Sequence, residues 1–211
     1  ELLCLHVARN LAPYADIEIL TTCARDYATW RHQYAPGHAM VGEIHVHRFP
    51  IDAERNAKSF SQASHRLPDN AAGPDLEEAW LRTQGPFSTA LRSYVRAHER
   101  RFDRFAFFGC LDTSTYFTLP LVEGKAVLCP LAHDEWTLRL SIWNRFFEKP
   151  RRLVFTSAAE QQLFAGHFPQ SVKLGEVVAT GILAPPAADA VRFRDQHDVD
   201  GPFVLYESRI D

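Results

Sequence analysis

The sequence is poor in glycine, with 10 in 211 residues, and it has one methionine and four cysteines. The cysteines (Cys4, Cys23, Cys110 and Cys129) are scattered, and no CxxC pair occurs among them. That leaves neither a disulfide framework nor a thiolate zinc site as the simple reading, and reduced thiols in apolar surroundings are expected instead. No apolar run approaches the roughly 20 residues that span a bilayer, and the opening residues lack a basic-then-apolar signal segment. There is no excess of positive charge. The net charge is -3 and the pI is near 6.4, against the basic balance of nucleic-acid binders. The motifs GxxxxGK[ST], GxGxxG, HExxH and GxSxG are all missing. Nucleoside triphosphatases, zincins and α/β-hydrolases are thereby set aside.

What is present is an apolar content of 46%, ample for a packed core. ELLCLHVARNLAPY has apolar residues at helical spacing and opens directly into that pattern, as if the chain began partway into a domain. DIEILTT reads as a strand, and CARDYATWRHQYAPG as a loop with a short helix. EIHVHRFP alternates Ile44 and Val46 against Glu43, His45 and His47, a strand with one wet face near a sheet edge. Residues 52–74 are polar and are expected to be the least ordered stretch. DLEEAWLRTQ is a helix with an aspartate cap, and PFSTALRSYVRAHER is a second one starting at Pro86. RFAFFG, KAVLCP and RLVFTS are short runs apolar on both faces, with VKLGEVVATG and PFVLY as a fourth and fifth. Runs of that kind separated by helical segments predict a mostly parallel sheet covered on both sides. DEWTLRLSIWNRFFEK is expected to be a helix, and the proline-rich APPAADAVRFRDQHDVDG a linker.

Ligands of open parallel sheets bind at the carboxyl ends of the strands. Those ends read TTCARDY, GCLDTSTY, PLAHDEW and TSAAE, and each carries hydroxyl, charged or imidazole groups. His133 follows its strand closely, so its ring can donate or accept a hydrogen bond in a crevice. Asp134 and Glu135 suit the first turn of the helix expected there. Thr113 stands where it either caps a helix or donates to a ligand. Cys110 has no histidine in its own loop to serve as a base. His45 and His47 lie on one strand face, but no carboxylate or third histidine is placed by the sequence to complete a metal set, so no metal is expected. The basic run RAHERRFDR is interrupted by Glu99 and Asp103 and reads as a solvated helix end.

The runs DIEILTTCARDYATWRHQYAPG…EIHVHRFPID and RFDRFAFFGCLDTSTYFTLPLVEGKAVLCPLAHDEW resemble the amino-terminal half of bacterial family-four glycosyltransferases of the GT-B architecture. The terminal GPFVLYESRID resembles the segment, usually YVGRID, that opens their second half. The resemblance covers nearly the whole chain, with its segments in the same order. It implies an α/β fold: a Rossmann-like three-layer α/β/α sandwich with a mostly parallel sheet, one half of a GT-B enzyme. Its first strand and glycine-rich turn would lie before Glu1. The implied division is an acceptor-side domain over 1–184, a linker over 185–202, and at 203–211 the start of a donor-binding domain that this sequence does not reach.

The resemblance further implies transfer of a sugar, with retention, from a nucleotide-sugar to an acceptor glycan or lipid-linked sugar in cell-surface polysaccharide biosynthesis. It implies no metal or other cofactor, no nucleic acid, and a cytoplasmic location with peripheral contact at the inner face of the membrane. The isolated domain would be inactive. His133 matches the cleft histidine that hydrogen-bonds the reacting sugar as charge develops. Thr21, Thr22, Arg25, Asp26, Thr113 and Asp134 fall to the acceptor, and Arg209 to the donor phosphates. Glu207 and Ser208 stand where valine and glycine are usual; a side chain in place of glycine crowds a close backbone approach there. The alternative is a non-catalytic carbohydrate- or protein-binding Rossmann-like module.

Overall fold

The computed structural model describes residues 2–67, 73–181 and 189–204. The chain divides into two compact units, Glu1–Thr180 and Gly181–Asp211. In the first, α1 (Leu2–Leu11) is followed by β1 (Glu18–Thr22), β2 (Gly37–Val41) and β3 (Ile44–Phe49). These make a three-stranded sheet of order β1-β3-β2, with β1 parallel and β2 antiparallel to the central β3. Helices α2 (Ala57–Arg66), α3 (Pro74–Gln84) and α4 (Thr89–His98) come next. Then β4 (Phe105–Phe108), α5 (Thr113–Thr118), β5 (Ala126–Cys129), β6 (Arg152–Phe155), α6 (Ala158–His167) and β7 (Gly175–Val177) complete the unit. The last four strands form an all-parallel sheet of order β4-β5-β6-β7. The protein is therefore α/β, compatible with a Rossmann-like fold.

Local chemistry explains most boundaries. Ser88 caps α4 by accepting from the Leu91 amide at 3.1 Å, and Ser157 caps α6 by accepting from Glu160 at 3.1 Å. Helix α3 is capped by Gly73 rather than Asp75, because Pro74 at the first helical position has no N–H to satisfy. Gly175 lets β7 approach β6, since a Cβ there would fall 2.3 Å from the Phe155 ring.

Three expectations are corrected, and the stretch read as a linker carries a short helix. The loop expected over 23–37 carries no helix and leads into an unexpected strand, β2, which pairs with β3 through the two-residue turn Gly42-Glu43. The polar stretch 52–74 contains α2, capped by Asn56 accepting from Ser59 at 2.9 Å. The linker stretch contains α7 (Ala190–His197), capped by Asp189 and, within the second unit, stacked through Phe193 on Phe203. The helix expected over 134–149 is instead three 3₁₀ turns, Trp136–Arg139, Ser141–Trp143 and Phe146–Glu148. Tertiary partners take the backbone and side-chain donors there: Glu77 accepts from Ser141 Oγ at 2.8 Å and from the Ile142 amide at 2.9 Å. The fifth apolar run falls partly outside the described residues, and Pro202–Val204 are not in a strand.

Two cores result. Trp80, Leu81, Leu128, Trp143, Phe147, Phe155 and Phe164 lie in the larger, against the four-stranded sheet. Phe49, Leu91, Val95 and Phe105, with Leu20 and Phe107 against them, form the smaller. Through α4 the smaller core joins β1 and β3 of one sheet to β4 of the other.

Candidate functional site

Because β4 to β7 all run the same way, their carboxyl ends share one edge. There β4 and β5 stay paired beyond the strands: the Gly109 amide donates to Cys129 O at 2.9 Å and Cys110 to Pro130 O at 2.8 Å. Gly109 has φ +83°, and a Cβ would fall 2.6 Å from Asp112 Oδ2, so only glycine fits this turn. Leu131 adopts φ +53°, a left-handed conformation uncommon for a branched side chain. One buried carboxylate organises the edge. Glu160, 6% exposed in the first turn of α6, accepts from the Ala132 amide at 3.0 Å. Its other oxygen accepts from the amide and hydroxyl of Thr156 at 2.7 and 2.9 Å. The loops after β5 and β6 are thus tied together one residue before His133, whose side chain is exposed.

The remaining candidate residues are placed differently from one another. Asp134 does not cap a helix; it pairs with Arg139 at 3.2 Å on the exposed surface. Thr113 is fully buried and donates to Leu81 O at 2.6 Å, which removes it from any ligand. Thr22 is buried, Thr21 half-buried and Arg25 exposed. Asp26 closes its own turn, accepting from the Ala28 amide at 2.9 Å and from the amide and hydroxyl of Thr29. The Thr29 hydroxyl, then the Ala28 amide, hold its carboxyl below the usual range. Arg209 lies outside the described residues, as do Glu207 and Ser208.

The loop after β1 is held by Arg55, which sequence reasoning passed over. Its guanidinium lies over Tyr27, Trp30 and Phe60 at 4.7, 4.9 and 4.5 Å and donates to Gln84 O and Tyr27 O. Gln84 O also accepts from Trp30 Nε1 at 2.5 Å, which fastens this loop to the end of α3. Cys110 is buried, and burial first, then Asp112, pushes its thiol far up. Burial of this kind disfavours the thiolate that nucleophilic attack requires. Cys129 is likewise pushed up to about 11 by burial. The chemistry this edge offers is hydrogen bonding from an exposed imidazole and from polar loop groups, without an activated nucleophile.

A second cluster lies on one face of the three-stranded sheet. His38 sits directly opposite His47, and Glu18 is opposite His45, one pleat repeat from His47. His47 is not solvated: its side chain is 14% exposed, packed against Phe49 at 4.1 Å and Tyr94 at 4.7 Å. Burial first, then the neighbouring His38, lowers its pKa below the ordinary 6.5; His98 also lowers it and Glu18 raises it. A depressed histidine pKa means that the unfolded chain takes up the proton first. Stability is therefore retained above pH 6.5 and lost as pH falls below it. Urea midpoints across this window should fall with pH in the wild type, and the His47→Phe variant should lose that part of the slope. An unchanged slope would show that His47 is not the group responsible.

Comparison of the sequence with protein-family models gave no match, and no curated protein matches it.

Proposed function

We propose that this chain is the acceptor-side half of a GT-B glycosyltransferase, an α/β/α layer whose strand-end edge binds an acceptor glycan or lipid-linked sugar. The observation that carries the reading is the Glu160 tie, which leaves His133 exposed beside two joined strand-end loops. An uncharged imidazole both donates and accepts, which suits a polyhydroxyl ligand. Sugar hydroxyls bind through many such bonds, each contributing about 0.5–1.5 kcal/mol. His133 would hold the reacting sugar, with Thr21 and Arg25 at the neighbouring edge. The nucleotide-sugar would be held by a separate donor-binding half, with Arg209 toward its phosphates. No metal or cofactor enters this scheme. A cytoplasmic site at the inner membrane face belongs to the same proposal; the described residues include no helix long and apolar enough to cross a membrane.

The test uses the 211-residue chain. Acceptor glycans should shift the amide resonances of residues 109–112, 130–134 and 156–157, and His133→Ala should weaken that binding about tenfold, the loss of one good hydrogen bond. Nucleotide-sugars should be neither hydrolysed nor transferred. Sugar transfer by this chain alone, or glycan binding indifferent to His133, would overturn the reading. One observation favours the alternative of a non-catalytic carbohydrate- or protein-binding module. Asp26, Thr113 and Glu160 are all engaged in the loops' own hydrogen bonds. Glycan binding without transfer after a donor-binding half is supplied would decide for it.

A further inference from the structure

We propose that Glu18, His38 and His47 bind one divalent transition-metal ion of the zinc class on the α4-covered face of the three-stranded sheet. The three come from three adjacent strands, β1, β2 and β3, and the pairing register puts all of them on the same face. One ligand atom from each lies within 4.8 Å of the others. Zinc bonds of about 2.0–2.2 Å in a tetrahedron put neighbouring ligand atoms roughly 3.4 Å apart. The set therefore has to contract by about 1.4 Å at its widest, within reach of a side-chain rotation. His38 can supply it, being exposed on the edge strand β2.

An independent observation is the state of His47. Its Nδ1 is buried and has no hydrogen-bond partner, although Glu18 Oε1 stands 3.9 Å away. A buried polar atom of this kind calls for a missing neighbour. An ion between Glu18 and the imidazole would supply one. An imidazole has two ring nitrogens, and the buried Nδ1 is the one that faces Glu18. The His38 and His47 rings lie 3.8 Å apart, tilted by 30°.

Two imidazoles and one carboxylate select the metal. Calcium and magnesium need six or more oxygen ligands, whereas this N₂O set suits zinc, cobalt, nickel or copper. With three protein ligands a fourth position stays open to water, the arrangement of a reactive rather than a closed structural zinc site. The surroundings are partly built. Tyr94 donates to Glu18 Oε1 at 3.4 Å, a long bond. Arg101 donates to the Tyr94 hydroxyl at 3.1 Å and approaches Glu18 Oε2 at 4.0 Å. Arg101 competes with a cation for that carboxylate, but its side chain is 59% exposed and can swing away. The inference does not depend on the sugar-transfer reading, since none of its residues belongs to the strand-end loops.

The experiment is a zinc titration of the full 211-residue chain, stripped with chelator, against a chromophoric competitor. Cobalt substitution is read in parallel by its visible absorption. The wild type should bind one equivalent. Glu18→Gln and His38→Ala should each weaken binding roughly 100-fold, and the cobalt band should disappear. Arg101→Gln should bind several-fold more tightly, because it removes the competing charge. His47→Ala disturbs the aromatic packing, so His38→Ala, at an exposed position, is the decisive variant. Its circular dichroism and metal-free melting should match the wild type. With 10 histidines in the chain, background binding is expected. Zinc bound equally well by the wild type and by the Glu18→Gln/His38→Ala double variant would overturn the site, as would absence of a tight equivalent in the wild type.

Discussion

Replacing Trp143 by alanine is expected to destabilise the first unit by about 3–5 kcal/mol, the range for emptying a large aromatic site in a core. Trp143 is fully buried and contacts Tyr116, Phe146 and Phe147 with ring centroids 5.4–5.5 Å apart. Its indole N–H donates to Thr137 O at 2.7 Å, which fastens the first of the three 3₁₀ turns to the second. No regular helix holds this segment, so its geometry depends on that packing and on Glu77. Trp143→Phe should keep most of the ring contacts and lose the hydrogen bond, costing about 1–2 kcal/mol beyond any packing change. Urea unfolding followed by far-ultraviolet circular dichroism measures both. Domain stabilities are typically 5–15 kcal/mol, so the alanine variant should show a clearly lowered midpoint. An alanine variant within about 1 kcal/mol of the wild type would mean that the 3₁₀ segment is not packed as described.

Glu160→Ala carries the second large effect, because it acts on stability and on the strand-end edge together. Removing the carboxylate leaves the amides of Ala132 and Thr156 and the Thr156 hydroxyl without their acceptor. Each buried donor left unmade costs about 1–3 kcal/mol; partial access of water keeps the expected total near 3 kcal/mol. Glu160→Gln should fall between, since an amide offers one acceptor oxygen and turns a donor toward the other N–H. Hydrogen exchange should quicken at residues 131–134 and 156–157 before it quickens in β4 or β5. Glycan binding should weaken along with it, because His133 loses its anchored loop. Unchanged exchange at Ala132 would show that the carboxylate does not tie the two loops.

Much of the fold is legible in the chain's patterning. Two-faced apolar runs mark β4, β5 and β6, as expected of buried parallel strands. Helical spacing marks α1 and the Leu91 and Val95 stripe of α4. Strand β2 was missed because GHAMV lacks clean alternation and its turn, Gly-Glu, is not among the strong hairpin dipeptides. Helix α2 was missed because its face is nearly all polar, and an asparagine cap is its main signal. The 3₁₀ segment read as a helix because local periodicity cannot show that Glu77, more than sixty residues away, claims the Ile142 amide.

The candidate site divides along the same line. Apolar runs with polar residues after them place His133 just beyond a strand, and it does follow β5. The Ser157-x-x-Glu160 spacing is that of a capping box, but only the fold brings Ala132 to the glutamate. Thr113 looked equally available in sequence, yet its hydroxyl closes a buried bond to α3. The strand and helix vocabulary and the chemistry at each strand end are written locally in the chain, because both are properties of neighbouring residues. The division of the strands into two sheets, and the meeting of Glu18, His38 and His47 on one face, arise from the fold. Pairing register joins residues far apart in the chain, and nothing local encodes it.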